Sequence, residues 1–169
     1  MNIKIKWIAL FVVLLLAGKG VQAQNSMFST SLNAGLSFPI LDNGRGIHLG
    51  VNPAFRIGDR FELEGQLSYV YTKITHSFLS GNTGYDHAIN SLVGARYYFN
   101  SKNNRIRPYV NFLVGGMISK EKLNNTNYSP EISLGLSVGA FIEIYRFVGG
   151  ISIETPRNFT FKLGYRIIS

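Results

Sequence analysis

Two short phrases in this 169-residue chain carry the residue types of nucleophilic catalysis, His76-Ser77 and Asp86-His87. A histidine base, a carboxylate that orients it and a hydroxyl nucleophile are the ingredients of acyl transfer. Neighbouring side chains of a strand point to opposite faces, however, so His76 and Ser77 do not meet within one strand. Solvated loop residues have this same composition. The residues therefore favour a chain with no catalytic centre, and a lipid-modifying activity through His76 or His87 is the alternative. His48 stands alone on a polar face, and one histidine makes no metal site. The chain has no cysteine, which excludes disulfides, thiolate metal sites and thiol nucleophiles. Neither a cofactor nor a metal is expected.

The remaining candidates are charged residues, and their meaning depends on the elements that carry them. From Phe28 onward the sequence reads as eight runs of apolar/polar alternation. The first sets Phe28, Thr30, Leu32, Ala34, Leu36 and Phe38 against Ser29, Ser31, Asn33, Gly35 and Ser37. The last sets Phe159, Phe161, Leu163, Tyr165 and Ile167 against Thr160, Lys162, Gly164 and Arg166. A period of two predicts strands with one apolar and one polar face. The expected strands are 27–38, 46–57, 60–74, 85–99, 107–119, 131–144, 147–155 and 158–168. Breakers separate them, among them Gly58-Asp59, Ser80-Gly81-Asn82, Asn100 to Asn104 and Tyr145-Arg146. In the fourth and fifth runs both faces carry apolar residues, so the pattern leaves their orientation open. Pro53 falls inside the second run and cannot donate to a ladder, and a bulge is expected there.

A leader precedes the strands. Lys4 and Lys6 form a basic start, Ile8 to Ala17 an apolar stretch, and Val21-Gln22-Ala23 a small-residue cleavage site. The apolar stretch is about half the roughly 20 residues a spanning helix needs, so residues 1–23 read as a signal peptide and 24–169 as one exported domain. The whole chain has formal charge +8, with its basic residues scattered and in no stripe, which excludes nucleic acid as a partner.

Which face points outward decides the class. The polar face holds Glu62, Glu64, Glu131, Glu143 and Glu154 with Arg56, Arg96, Lys162 and Arg166, while the apolar face is almost free of charge. A soluble barrel of the lipocalin kind would turn its apolar face inward. The charge-free face, the small residues among the polar positions and the aromatics at strand ends favour the opposite arrangement. This is an all-β, eight-stranded antiparallel up-and-down barrel with its apolar face in lipid. Phe28, Phe55, Phe61, Tyr97, Phe99, Tyr109, Tyr145, Phe147 and Tyr165 then fall near the inner rim, and Phe38, Tyr69, Tyr71, Tyr85 and Phe159 near the outer. Phe28 and Phe38 are ten residues apart, roughly 25 Å of height at a tilt near 40°.

Three local phrases carry a resemblance. They are Ala95-Arg96-Tyr97-Tyr98-Phe99 closing a strand, Arg107-Pro108-Tyr109-Val110 opening the next, and Leu163-Gly164-Tyr165-Arg166 near the end. With the eight-run pattern they make the chain resemble the small outer-membrane β-barrel domain family of Gram-negative bacteria, the OmpA/OmpX-like and PorT-like barrels. The resemblance covers about 28–169 and implies an outer-membrane location. Many such barrels end on an aromatic residue, and this chain departs from them with Ile167-Ile168-Ser169.

An eight-stranded barrel is just wide enough for its own side chains to fill it. The nine charged residues of the polar face are accordingly expected to form a structural network that plugs the lumen. A narrow pore along the same charges is the competing reading. The expected role is structural or interactive, through outer loops near 39–46, 75–84 and 120–130. Partners are outer-membrane lipid and a protein or surface ligand at those loops, with the chain a monomer.

Overall fold

The computed structural model describes residues 27–40, 43–75, 83–101, 104–123, 126–155 and 158–168. The expected signal peptide at 1–23, His76, Ser77, the 76–82 connection and Ser169 lie outside the described residues. No helix occurs among the described residues.

Each run of alternation becomes a strand. These are β1 (Phe28–Pro39), β2 (Asn43–Arg56), β3 (Phe61–Thr75), β4 (Thr83–Tyr98), β5 (Ile106–Leu123), β7 (Glu131–Ile144), β8 (Phe147–Glu154) and β9 (Asn158–Ile168). A two-residue strand, β6 (Thr126–Asn127), pairs only with the tip of β5. Consecutive long strands pair antiparallel, β5 with β7 among them, and β9 returns to β1 through partners running from Pro39–Asn158 to Thr30–Ile168. The eight long strands therefore close into a barrel without a free edge, which satisfies their backbone groups where no water can.

The outward wall is apolar. Leu163 is 75 % and Val138 52 % exposed, and Leu32, Leu36, Leu49, Leu63, Phe112 and Ile151 all face out. Outward-facing aromatics border it at both ends. Phe61 and Tyr97 lie 4.9 Å apart and Phe147 and Tyr165 5.3 Å apart at one rim, with Tyr71 and Tyr85 stacked at 5.9 Å at the other. Tyr109 departs from the expected inner belt. It is 3 % exposed and points into the lumen, stacked on Phe141 at 5.2 Å. The orientation that sequence left open in β4 and β5 is set by Arg96 and Tyr98, and by Arg107, Tyr109 and Asn111, all buried inside. Leu92, Leu113 and Met117 accompany them into the lumen, which is why both faces of those strands read as apolar.

The bulge expected at Pro53 is absent. The β2–β3 ladder skips Asn52 and Pro53 and resumes with Ala54–Glu64 in unchanged register. Gly65 lies across that gap, where even a Cβ would come within 3.3 Å of the proline ring, so Pro53 fits without an extra residue. The register shift falls instead between Thr30 and Ser31 in the β1–β9 pairing. Strands also extend further outward than the alternation suggested, with β2 beginning at Asn43, β4 at Thr83 and β5 ending at Leu123. Much of the expected loops 39–46 and 120–130 is therefore strand. At the inner rim β7 turns into β8 through Tyr145-Arg146, with Tyr145 in the left-handed region at φ 58°.

The wall makes a depth-dependent prediction. Val138 lies midway along β7, paired with Phe112 and Ile153, whereas Leu134 lies near its outer end. Val138→Arg should cost about 2–4 kcal/mol, and Leu134→Arg distinctly less because its charge reaches the interface. Unfolding titrations of the folded protein in lipid vesicles check the gradient, and equal costs at both positions would contradict the assigned depth.

Candidate functional site

Inward positions of consecutive strands meet at the barrel axis, so residues far apart in sequence become contacts. Glu62 of β3 lies across from Arg96 of β4, and Glu64, one inward position further along β3, lies across from Gly94. Arg96 donates to Glu64 from Nη2 at 2.6 Å and Nε at 3.1 Å, and to Glu62 from Nη1 at 3.2 Å. Two parallel bonds from one guanidinium to one carboxylate are the strongest arrangement this pair adopts. Glu64 also accepts from Asn52 at 2.6 Å and Asn111 at 3.0 Å.

Arg166 reaches in from β9 and joins the same cluster. Its Nη2 lies 2.7 Å from Glu143 of β7 and 3.4 Å from Glu62. The Tyr98 hydroxyl sits between them, accepting from Arg166 at 2.6 Å and Arg96 at 3.1 Å, and it lies 2.9 Å from Glu143. Arg107 lies 3.4 Å from Glu143 and stacks over the Tyr98 ring at 3.7 Å, and Arg96 lies 4.6 Å from the Tyr109 ring. Arg56, half-buried, makes a looser contact with Glu62 at 3.6 Å.

A second cluster lies higher in the lumen. Glu154 pairs with Lys162, accepts from Gln66 and Ser137 at 3.1 Å each, and lies 3.3 Å from Nε2 of His48. Phe141 packs between the clusters, seated by Gly139 and Gly150, where a Cβ would overlap its ring. The void left among Asn33, Asn52, Glu64, Arg96, Asn111 and Lys162 is about 20 Å³, room for about one water.

The structure thus brings together Arg56, Glu62, Glu64, Arg96, Glu143 and Arg166 in one cluster and Glu154 with Lys162 in another. Glu131 joins neither. It keeps the inward parity of β7 but sits at the outer end of the strand, exposed. Arg107 takes its place in the count, leaving four carboxylates against five cations. Sequence reasoning missed Arg107, Tyr98 and the asparagines Asn52 and Asn111. The inward parity of β5 pointed to Arg107 and Asn111, but that strand's faces were ambiguous. His48 is not alone, since Glu154 comes to it from β8.

Of the histidine phrases, only Asp86-His87 is described. His87 faces outward and its Nδ1 lies 2.7 Å from the Tyr69 hydroxyl, while Asp86 has the opposite parity. Among the described residues no group of three His, Asp or Glu side chains is arranged to hold a metal ion.

No family model matches the chain, and no curated protein matches it. Solved structures do. The attachment invasion locus protein Ail of Yersinia pestis, in complex with the heparin analogue sucrose octasulfate, is 18 % identical over 83 % of this chain and 97 % of its own, with a TM-score of 0.53. Neisserial surface protein A is 15 % identical over 84 % of this chain and 96 % of its own, also with a TM-score of 0.53. The outer membrane enzyme PagL is 14 % identical over 82 % of this chain and 99 % of its own, with a TM-score of 0.51. The fold is that of a small outer-membrane β-barrel. At these identities the likeness is one of architecture, and it spans an attachment protein, a surface protein and an enzyme alike.

The geometry ranks the arginines. Arg96→Ala leaves Glu62 and Glu64 buried with their closest cation gone, a loss on the order of 3–5 kcal/mol. Arg56→Ala removes one half-exposed contact and should cost less than about 1 kcal/mol. The temperature at which the folded band disappears from a gel run without boiling measures both. Equal shifts would mean that the buried pair does not hold the barrel.

Proposed function

We propose that this chain is an exported outer-membrane barrel, a monomer, whose lumen is locked by its own charges and whose role is structural or interactive through the outer rim. The observation that carries the reading is the filled lumen. Arg96, Arg166, Tyr98, Glu62, Glu64 and Glu143 bond to one another across the axis, and the rings of Tyr109 and Phe141 close the space beside them. The apolar wall between two aromatic rims supports the membrane location. An affinity with the OmpA/OmpX-like group fits the eight-stranded neighbours, and a PorT-like role in assisting a secretion complex is a finer possibility within the same reading. The outer connections, 76–82 foremost, are where a protein or surface ligand meets the barrel.

One observation favours a second reading. His87 stands on the outward face near the outer rim, hydrogen-bonded to Tyr69, within reach of lipid headgroups. A lipid-modifying enzyme using it would need a nucleophile from the neighbouring connection, such as Ser77. Incubation of the folded protein with outer-membrane lipid, read by mass spectrometry, separates the two, because an acyl loss abolished by His87→Ala establishes the enzyme.

For the favoured reading, planar-bilayer recording should show at most small, irregular currents. A steady wild-type conductance that Arg96→Ala abolishes would make the charges a transport path and refute the lock. A cysteine at Asn43 should react with a membrane-impermeant reagent in intact cells, and one at Asp59, in the inner turn, should not. Reversed labelling would invert the barrel.

A further inference from the structure

The barrel wall carries a one-sided charge that neither the lumen lock nor the apolar band uses. Among the described residues, the outward positions of β1, β7, β8 and β9 hold no charged side chain. Those of β2 to β5 hold Arg45, Lys73, Lys120 and Lys122, with His87, and no carboxylate. Asp86 and Glu121, adjacent in sequence to His87 and to Lys120 and Lys122, have inward parity and lie opposite each other in the β4–β5 ladder. Lys73, Arg45 and Lys120 are exposed and Lys122 is half-buried.

Register places these cations in two rows. Arg45 lies opposite Lys73, Lys73 opposite Tyr85, and Tyr85 opposite Lys122. One outward step below come Ile47, Tyr71, His87 and Lys120, and below those Leu49, Tyr69, Ile89 and Ile118. With strands about 4.8 Å apart, the upper row spans about 15 Å. Like charges directly across a ladder repel, so Arg45 beside Lys73 is an arrangement that an anion between them relieves.

Height identifies the medium around them. Tyr97 belongs to the inner aromatic rim, and His87 lies ten residues further along β4. At the usual strand rise and tilt that is about 25 Å, the full height of an apolar band, and Tyr85, one outward step further along β4 in the row of Lys73 and Lys122, lies about 5 Å higher. The cations therefore stand at the level of lipid headgroups, directly above apolar side chains on the same face. A ligand that touches both must lie beside the wall, not over the mouth of the barrel.

We propose that the outer ends of β2 to β5 bind an anionic, phosphate-bearing lipid of the outer leaflet. Arg45, Lys73, Lys120 and Lys122 take its phosphates, and Leu49, Ile89 and Ile118 bear its acyl chains. Tyr71, stacked on Tyr85 and 5.0 Å from the His87 ring, supplies the amphipathic floor between them. Arginine grips phosphate through two parallel bonds and lysine adds a point charge. The inference rests on the membrane reading above.

The test is a native mass-spectrometry titration of the folded full-length barrel in micelles with bisphosphorylated lipid A and with its dephosphorylated form. Wild type should bind the phosphorylated lipid preferentially. The variant K73Q/K120Q/K122Q should bind it about a hundred-fold more weakly, at about five-fold for each cation removed at a lipid surface. The variant R60Q/R105Q/R146Q, which removes three cations from the inner turns, should bind as wild type does. Should the first triple variant not fold, Lys73→Gln and Lys122→Gln singly carry the same test at about five-fold each. Equal affinity for the two lipids, or an equal loss in the inner-turn variant, overturns the site while leaving the barrel in the membrane. A wild-type chain that never enters lipid vesicles overturns the membrane reading and the site with it. Binding of a soluble sulfated oligosaccharide, lost in K73Q/K120Q/K122Q while lipid A affinity is unchanged, assigns the patch to a soluble polyanion and also overturns the proposal.

Discussion

An eight-stranded barrel is one side chain deep from wall to axis, so a polar group pointing inward finds its partner among the other inward groups or loses hydration without return. Arg96 is the residue on which this constraint converges. Its guanidinium contacts Glu64 twice, Glu62 once and the Tyr98 hydroxyl once, and it lies over Tyr109. Those contacts tie β3, β4 and β5 to one another, and Tyr98 and Glu62 pass the tie on to Arg166 of β9 and Glu143 of β7. The ring of strands is thus cross-braced from inside. The wall can be free of charge through the spanning region because the ionic groups there are turned away from it and answered within.

The same constraint explains which parts of this were legible in the sequence. Alternation follows directly from a wall with two unlike sides, so β7 and β9 lie where the pattern put them at 131–144 and 158–168. Parity reveals a face but not a height. Glu131 shares the inward parity of Glu143 and yet sits at the exposed outer end of β7, twelve residues up the strand. Where the lumen is filled by Leu92, Leu113, Met117 and Phe141, the inner face loses its polar signature, and β4 and β5 become two-faced in apolar residues. Arg107 was hidden by that ambiguity. The Lys120-Glu121-Lys122 tip of β5 read as loop because its charges break the apolar run. It is strand because ladder bonds to β4, and at its end to β6, hold it without burial.

That tip belongs to a wider asymmetry. The strands β3, β4 and β5 have 15, 16 and 18 residues, whereas β8, on the far side, has 8. The tall side rises past the apolar band, and the outward cations occur there and on the adjoining β2. Inside, the charges gather low, while Ser37, Thr72, Asn90 and Thr160 line the outer half with small buried polar groups. Charge is therefore sorted twice, by face and by height. Low in the barrel it is paired, buried and bracing, three carboxylates against four arginines. High on the barrel the outward charges are all cations, Arg45, Lys73, Lys120 and Lys122, and they stand on β2, β3 and β5 alone. Bracing alone accounts for the first population, because opposite charges at hydrogen-bond distance stabilise one another. It cannot account for the second, because Arg45 and Lys73 directly across a ladder weaken the pairing they sit on. A surface that places like charges in register, above its own apolar wall and clear of carboxylates on that face, is shaped for something anionic that the membrane supplies.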